Sequence, residues 1–172
     1  MIEYFDIYDI NRNFMGRKEQ RDSYTFKNGE YHIVTDVFIF NSENKLLLTQ
    51  RVPSKKGGLL WEGTGGSVLA GETSIQAICR EIKEELGLDV NQEELKMFKQ
   101  LRRDEIKSPR FKDLWILKKD IEIKDLVLQK EEVMNAKWVS LDEFKNMLNN
   151  NEIVGSLDFD VNDFNKAISF LK

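Results

Sequence analysis

GSVLAGETSIQAICREIKEELGL, residues 66–88, is the stretch in which caps, apolar spacing and charge spacing agree. Thr73 can cap a helix whose first turn follows at once, and Gly87 is placed to end it in a left-handed conformation. The spacing predicts a helix over 74–86. On a wheel of 3.6 residues per turn, Ile75, Ile78, Ile82 and Leu86 share one stripe, while Glu81, Glu84 and Glu85 gather on another. One face packs and the other is acidic. Glu81 lies three and four positions before Glu84 and Glu85, which makes their side chains neighbours about 5 to 6 Å apart. At an effective dielectric near 20 each such pair repels by roughly 3 kcal/mol. A hard divalent cation reverses that sign. Carboxylate oxygens, with waters and substrate phosphates completing the shell, are what Mg2+ prefers, and Mn2+ accepts the same set.

A bare E-x-x-E-E is most often a solvated helix face, and it is the surrounding residues that argue otherwise. Gly63, Gly65 and Gly66, in the run WEGTGG at 61–66, supply backbone that bends tightly and approaches a ligand with no Cβ in the way. Arg80, just before Glu81, can orient a carboxylate by a bidentate pair. The stretch fits G-x5-E-x7-R-E-U-x-E-E-x-G-U, with U aliphatic, at Gly66, Glu72, Arg80, Glu81, Ile82, Glu84, Glu85, Gly87 and Leu88. It resembles the Nudix box at every fixed position. The resemblance implies an enzyme, a metal-dependent hydrolase of a diphosphate linkage within a nucleoside diphosphate attached to another group. It also implies that the Gly65 carbonyl joins Glu81, Glu84 and Glu85 around Mg2+ or Mn2+, with Glu72 supporting the loop. Glu81 is the expected base, oriented by Arg80. EEVMNAKWVSLDEF, at 131–144, resembles the Nudix segment whose carboxylate binds another metal or acts as base in several members, which makes Glu131 or Glu132 the rival.

A second resemblance, over roughly the first sixty residues, is to type 1 isopentenyl diphosphate isomerase. Residues 4–16 resemble its opening D-x-x-G turn, Tyr31 and His32 precede a similar strand, and LLLTQRVPSKKGG, at 46–58, resembles its diphosphate-binding stretch. The active site departs from it. The isomerase's catalytic cysteine falls at Gly65 and a metal-binding histidine at Ser67, in a chain with one His. Hydrolysis is therefore the expectation, an isomerase-like enzyme the alternative, and a non-catalytic nucleotide-binding or sensor domain the third reading. Such non-catalytic domains commonly lose box carboxylates, and none is lost here.

Arg51, Lys55 and Lys56 fall where basic side chains could meet substrate phosphates, and Arg51 and Lys55 are the candidate substrate contacts, weighed evenly against solvated loop charges. Trp61, Phe111, Trp115 and Trp138 could stack a base or sugar, but aromatics in strand patterns are more often core. His32 and Cys79 read as structural.

At 172 residues and 20.2 kDa the chain suits one domain, 1–172, with a short N-terminal hairpin at about 3–21 belonging to it. No apolar run approaches the ~18 residues of a membrane span. The opening MIEYFDIYD carries acids where a signal peptide needs a basic then apolar segment, and a lone Cys79 excludes an internal disulfide. A cytoplasmic protein is expected. A net charge of -4 argues against a general nucleic-acid binder, while a small anionic diphosphate substrate stays compatible. Monomer and homodimer are both open.

Strands are expected at 3–8, 33–40, 45–51, 95–102 and 111–121, with a short one at 135–139. Residues 11–16 offer a turn, 41–44 break the second and third strands, and Ser108 and Pro109 mark a bend. Ser140 and Glu143 form a capping box opening a helix that carries Leu141, Phe144 and Leu148. Asp160 caps a last helix, with Phe159 stapled onto Phe164 and with Ile168 and Leu171 on the same side. Strands and helices interspersed without strict alternation point to an α/β (α+β) fold with a mixed sheet between helices. This matches the α/β/α sandwich, with its box loop–helix–loop and C-terminal helices, that the Nudix resemblance implies.

Overall fold

The computed structural model describes residues 2–105 and 107–172. Helix α1 occupies Ser74–Leu86, the span read from the sequence. Its caps are local chemistry. The Thr73 side chain accepts from the Gln76 N–H, the Gln76 side chain accepts from the Thr73 N–H at 2.9 Å, and Gly87, at φ 72, donates to the Lys83 carbonyl at 3.0 Å. Ala77, Ile78, Ile82 and Leu86 are buried, and so is Glu85.

Strand β3 (His32–Phe40) is the spine of a seven-stranded mixed sheet. It runs parallel to β8 (Arg110–Lys118), which pairs antiparallel with β7 (Leu95–Arg103). On its other edge β3 meets β4 (Leu46–Arg51) at Phe40 and Leu46, then pairs with β6 (Thr64–Ser67) from Val34 to Val37. β4 itself continues to β5 (Trp61–Glu62) and β9 (Val133–Val139). The sheet thus forks where β3 exchanges one partner for another.

Alternation along β3 divides the core in two. Val37 and Ile39 face α1, together with Leu47, Trp115 and Leu117. Phe38 and Phe40 face the opposite layer, where Phe144 and Met147 of α2 (Leu141–Asn149) meet Phe164 and Ala167 of α3 (Val161–Phe170). A strand covered on both faces reads as a nearly unbroken apolar run, as 37–40 does. Ser140 and Glu143 form the expected box, and Asp160 caps α3. Ile168 and Leu171 pack against the core as expected, and each member of the anticipated staple finds an aromatic partner in the sheet. Phe159 stacks on Phe38 at 3.9 Å, and Phe164 meets Phe40 edge-on at 5.0 Å.

Three elements differ from expectation. The run at 61–66 is not a bend but two short strands, and its glycines serve close packing: a Cβ on Gly65 would lie 2.7 Å from Asp36 Cα. β8 stops at Lys118, after which Lys119 donates to the Phe40 carbonyl. β9 starts two residues early, at Val133, across a register shift opposite Gln50 and Arg51.

The N-terminal hairpin, β1 (Tyr4–Tyr8) and β2 (Phe14–Gln20), docks through Tyr8 and Tyr31, whose backbones exchange hydrogen bonds at 2.8 and 2.9 Å. Arg12, in its turn, makes a two-point pair with Asp113 of β8 at 2.8 and 2.6 Å. Asp113 is 1% exposed. Removing one partner of such a pair strands a buried charge, so Arg12→Ala is expected to cost about 3 kcal/mol in urea denaturation. A loss below about 1 kcal/mol would show that Gln100, 3.0 Å from the same carboxylate, suffices. Among the described residues no helix is long and apolar enough to cross a membrane.

Candidate active site

The fork between β4 and β6 opens a cavity of about 660 Å³, and the box helix closes one side of it. Glu81, Glu84 and Glu85 line that side, with Gly65 and Gly66 opposite. The sheet presses close. A Cβ on Gly66 would lie 2.6 Å from Glu81 Cδ, so the glycine is what lets the carboxylate rest against β6.

Arg80 organises the acids. Its Nε and Nη2 donate to the two oxygens of Glu72 at 2.9 and 3.0 Å, and Nη2 also reaches the Ser67 carbonyl at 3.0 Å. Its Nη1 donates to Glu81 Oε1 at 2.9 Å and to Glu84 Oε2 at 3.0 Å. Glu72 in turn accepts from the Leu69 N–H at 3.0 Å, tying loop and helix together. Burial opposes the Glu72 charge, but Arg80 and that N–H overcome it and hold the carboxyl below its ordinary range.

Glu85 differs from its neighbours. It is buried, no hydrogen bond among the described residues reaches its carboxylate, and burial followed by the charges of Glu81, Glu62 and Asp36 pushes its pKa well up. Burial likewise raises Glu81, against the pull of Arg80. Among the described residues no three acidic, histidine or cysteine side chains are already drawn to metal-binding distance. The convergence expected of Glu81, Glu84 and Glu85 is therefore incomplete, because like charges separate and Arg80 Nη1 bridges the first two. The donor set nevertheless fits a hard divalent cation: the carboxylates of Glu81, Glu84 and Glu85, the last without a hydrogen bond among the described residues, line one cavity with Gly65, which has no side chain to shield its carbonyl.

Arg51 and Lys55 line the same cavity. Arg51 Nη1 is 2.6 Å from Glu62, and its Nε is buried without a partner among the described residues. Lys55 pairs with Glu132. Glu132 stands on the cavity wall, whereas Glu131 is exposed and contributes nothing to it.

Sequence reasoning missed Asp36, Glu62 and Lys112, all on the wall. Asp36 and Lys112 pair at 2.7 Å across β3 and β8, and Lys112 is 4% exposed. The signal was there: a lone acid inside HIVTDVFIF, and Lys112 near the start of the largely apolar RFKDLWILK, must each find a partner if those strands are buried. Trp61, Phe111 and Trp115 belong to the apolar clusters, as expected. Trp138 is partly buried and donates to the Ile121 carbonyl at 3.0 Å.

His32 also lines the cavity, against Phe5 and Phe26. Its Nε2 is 3.1 Å from Ser108 Oγ, and its Nδ1 is buried without a partner among the described residues. Burial, then Arg110 and Arg21, lower its pKa to about 4. A depressed folded value means that the contribution to stability is complete above about pH 6.5 and is lost as pH falls toward 4. Between pH 7 and pH 5 this loss amounts to about 2 kcal/mol. His32→Phe is expected to shrink the stability difference between those two pH values by that amount in urea melts. An unchanged difference would contradict the buried neutral imidazole.

The family model of the NUDIX domain matches residues 30–156. The chain belongs to the Nudix family. An uncharacterised Nudix hydrolase of Listeria monocytogenes is 34% identical over 155 residues, covering 89% of each chain. The crystal structure of DR0079 from Deinococcus radiodurans superposes with a TM-score of 0.69 at 19% identity, over 88% of this chain and 91% of that one, a likeness of fold. Isopentenyl-diphosphate Delta-isomerase of Pectobacterium atrosepticum is 39% identical over 84 residues, 48% of this chain and 46% of the isomerase. The chemistry of that enzyme is not reproduced. Cys79 packs in the apolar cluster under α1 and His32 packs against Phe5 and Phe26, while Gly65 and Ser67 stand beside the Nudix box. The chain is a Nudix pyrophosphohydrolase, of a family that acts on pyrophosphate bonds of nucleoside diphosphate derivatives and generally uses divalent metals.

Proposed function

We propose that the fork is the active site of this hydrolase, in a single domain spanning 1–172, and that it cleaves the diphosphate of a nucleoside diphosphate attached to another group. The observation that carries the reading is Glu85, a buried residue on the cavity wall with Glu81 whose carboxylate takes no hydrogen bond among the described residues. Such a group is costly unless a cation meets it. Glu81, Glu84, Glu85 and the Gly65 carbonyl would hold Mg2+, or Mn2+ in its place. When bound, such an ion would supply charge neutralisation on the diphosphate and a more acidic water.

The chain's own residues do the rest. Arg80, fixed by Glu72, holds one oxygen of Glu81 and leaves the other to accept the proton of the attacking water. The raised pKa of Glu81 brings it nearer to that of a useful base. Glu132, paired with Lys55 on the cavity wall, is the rival. Arg51 and Lys55 face the phosphates across the cavity and offset charge building on the leaving phosphate ester.

The test is turnover across nucleotide sugars, dinucleotides, oxidised nucleoside triphosphates and prenyl diphosphates, with Mg2+ and Mn2+ compared by 31P NMR. Hydrolysis of a nucleoside diphosphate derivative that stops on chelation is expected. Alkene isomerisation of a prenyl diphosphate, or binding of nucleotides without cleavage, would overturn the proposal.

A further inference from the structure

The hairpin of β1 and β2 precedes the residues that match the family model, yet it holds part of the box. Each N–H of the loop between β6 and α1, residues 68–73, has an acceptor. Val68 donates to the Ile33 carbonyl at 3.0 Å, Leu69 to Glu72 Oε2 at 3.0 Å, Glu72 to the Leu69 carbonyl at 3.0 Å and Thr73 to the Gln76 side chain at 2.9 Å. The remaining two reach outside the box. Ala70 donates to the Tyr4 carbonyl at 2.8 Å, and Gly71 donates to Asp6 Oδ2 at 2.9 Å.

The strand that supplies those acceptors is anchored. Phe5 and Ile7, on either side of Asp6, are buried, so β1 is held by its inward face while Asp6 stays half-buried at the loop. The backbone exchange between Tyr8 and Tyr31 and the pair of Arg12 with Asp113 fix the rest of the hairpin. The loop, in turn, seats Arg80. The Ser67 carbonyl and the Glu72 carboxylate both accept from its guanidinium, whose Nη1 reaches Glu81. A displaced Glu72 therefore displaces Arg80, and with it the oxygen of Glu81 that Arg80 holds.

We propose that Asp6 is a positioning residue of the hydrolase, and that β1 is a clamp which sets Glu72 against Arg80 from outside the box. The kinetic consequence rests on the role given to Glu81 under the proposed function; the mechanical one does not. The bond from Gly71 to Asp6 is exposed, and water replaces an exposed acceptor at little cost, so the bond decides where the loop rests rather than whether the protein folds. A small displacement of a reacting group costs far more in rate than such a bond costs in stability.

Amide exchange followed by NMR in Asp6→Ala reads the mechanical part without substrate. Exchange at Gly71 and at Leu69, whose N–H is held by the Glu72 carboxylate, is expected to quicken by about fivefold or more, with Ile82 in α1 unchanged. Kinetics read the rest, at saturating Mg2+ and with the nucleoside diphosphate derivative that the wild type cleaves fastest. Asp6→Ala should lower kcat roughly tenfold while KM moves by less than about twofold, and Asp6→Asn, which keeps an oxygen acceptor, should stay within about twofold of the wild type. In Glu72→Gln, already slow, adding Asp6→Ala should lower kcat by less than about twofold more, because both changes act through one contact. A Leu69 amide unmoved while that of Gly71 quickens, a wild-type kcat in Asp6→Ala, or a full further loss on top of Glu72→Gln would each overturn the clamp and leave the hydrolase standing. Glu72→Gln with the kcat of the wild type would instead sink the ordering of Glu81 by Arg80 on which the proposed function rests, and the positioning role of Asp6 with it.

Discussion

Glu85→Gln is expected to lower turnover on the order of a thousandfold while the protein still folds and, in the absence of divalent metal, melts at a higher temperature. The first half follows from the proposed role of Glu85 as a metal-holding carboxylate, since a bound ion would contribute several kcal/mol to transition-state charge stabilisation. The second follows from burial. The Glu85 carboxyl is raised well above its ordinary range by desolvation and by the charges of Glu81, Glu62 and Asp36. A group whose folded pKa is raised contributes stability below its unfolded pKa and loses it as pH rises through the folded value. At neutral pH the ionised form is thus a burden, and glutamine removes it. Added Mg2+ should reverse the order, raising the melting temperature of the wild type more than that of the variant. Circular dichroism melts with and without metal, beside initial rates, check both halves. A variant as active as the wild type would remove Glu85 from the site.

Two neighbouring glycines are expected to fail in different ways. At Gly65 a Cβ would lie 2.7 Å from Asp36 Cα and closer still to the Thr35 carbonyl, both on the central strand, which cannot move without parting β3 from β6. Gly65→Ala should therefore cost about 3 kcal/mol or more and yield little folded protein. At Gly66 the nearest atoms are the carboxylate of Glu81, the far end of a flexible side chain. Gly66→Ala should fold near normally, but with Glu81 displaced and its bond to Arg80 disturbed, and should lose about a hundredfold in kcat. Urea denaturation and kcat, measured together, separate the two cases. Comparable stability losses at both positions would show that β6, not Glu81, sets the constraint.

What was legible in the sequence follows the range of the forces involved. Helix α1 came out to the residue because Thr73, Gly87, the apolar stripe and the acidic stripe are local and agree. The capping box at Ser140 and the cap at Asp160 were legible for the same reason. The strands at 61–67 were not, since their glycines answer to Thr35, Asp36 and Glu81, which only the folded sheet brings near. The same limit hid the wall opposite the box helix. Pairing of Asp36 with Lys112 requires the parallel register of β3 and β8, which no turn between them announces. Arg12 and Asp113 meet only because the hairpin folds back on β8. At the site, the sequence brought the box residues to one helix, but the bridging position of Arg80 and the approach of Phe26 to the cavity depend on side-chain neighbours across the fold.

The central claim is that the acids of α1 share a divalent ion at the fork, and anomalous scattering from crystals soaked in Mn2+ tests it most directly. The account predicts a peak bounded by the carboxylates of Glu81, Glu84 and Glu85 and the Gly65 carbonyl, and no peak in Glu85→Gln crystals soaked the same way. Wild-type crystals with no anomalous peak among those oxygens, or with Arg80 still bridging Glu81 and Glu84 at saturating Mn2+, would contradict it.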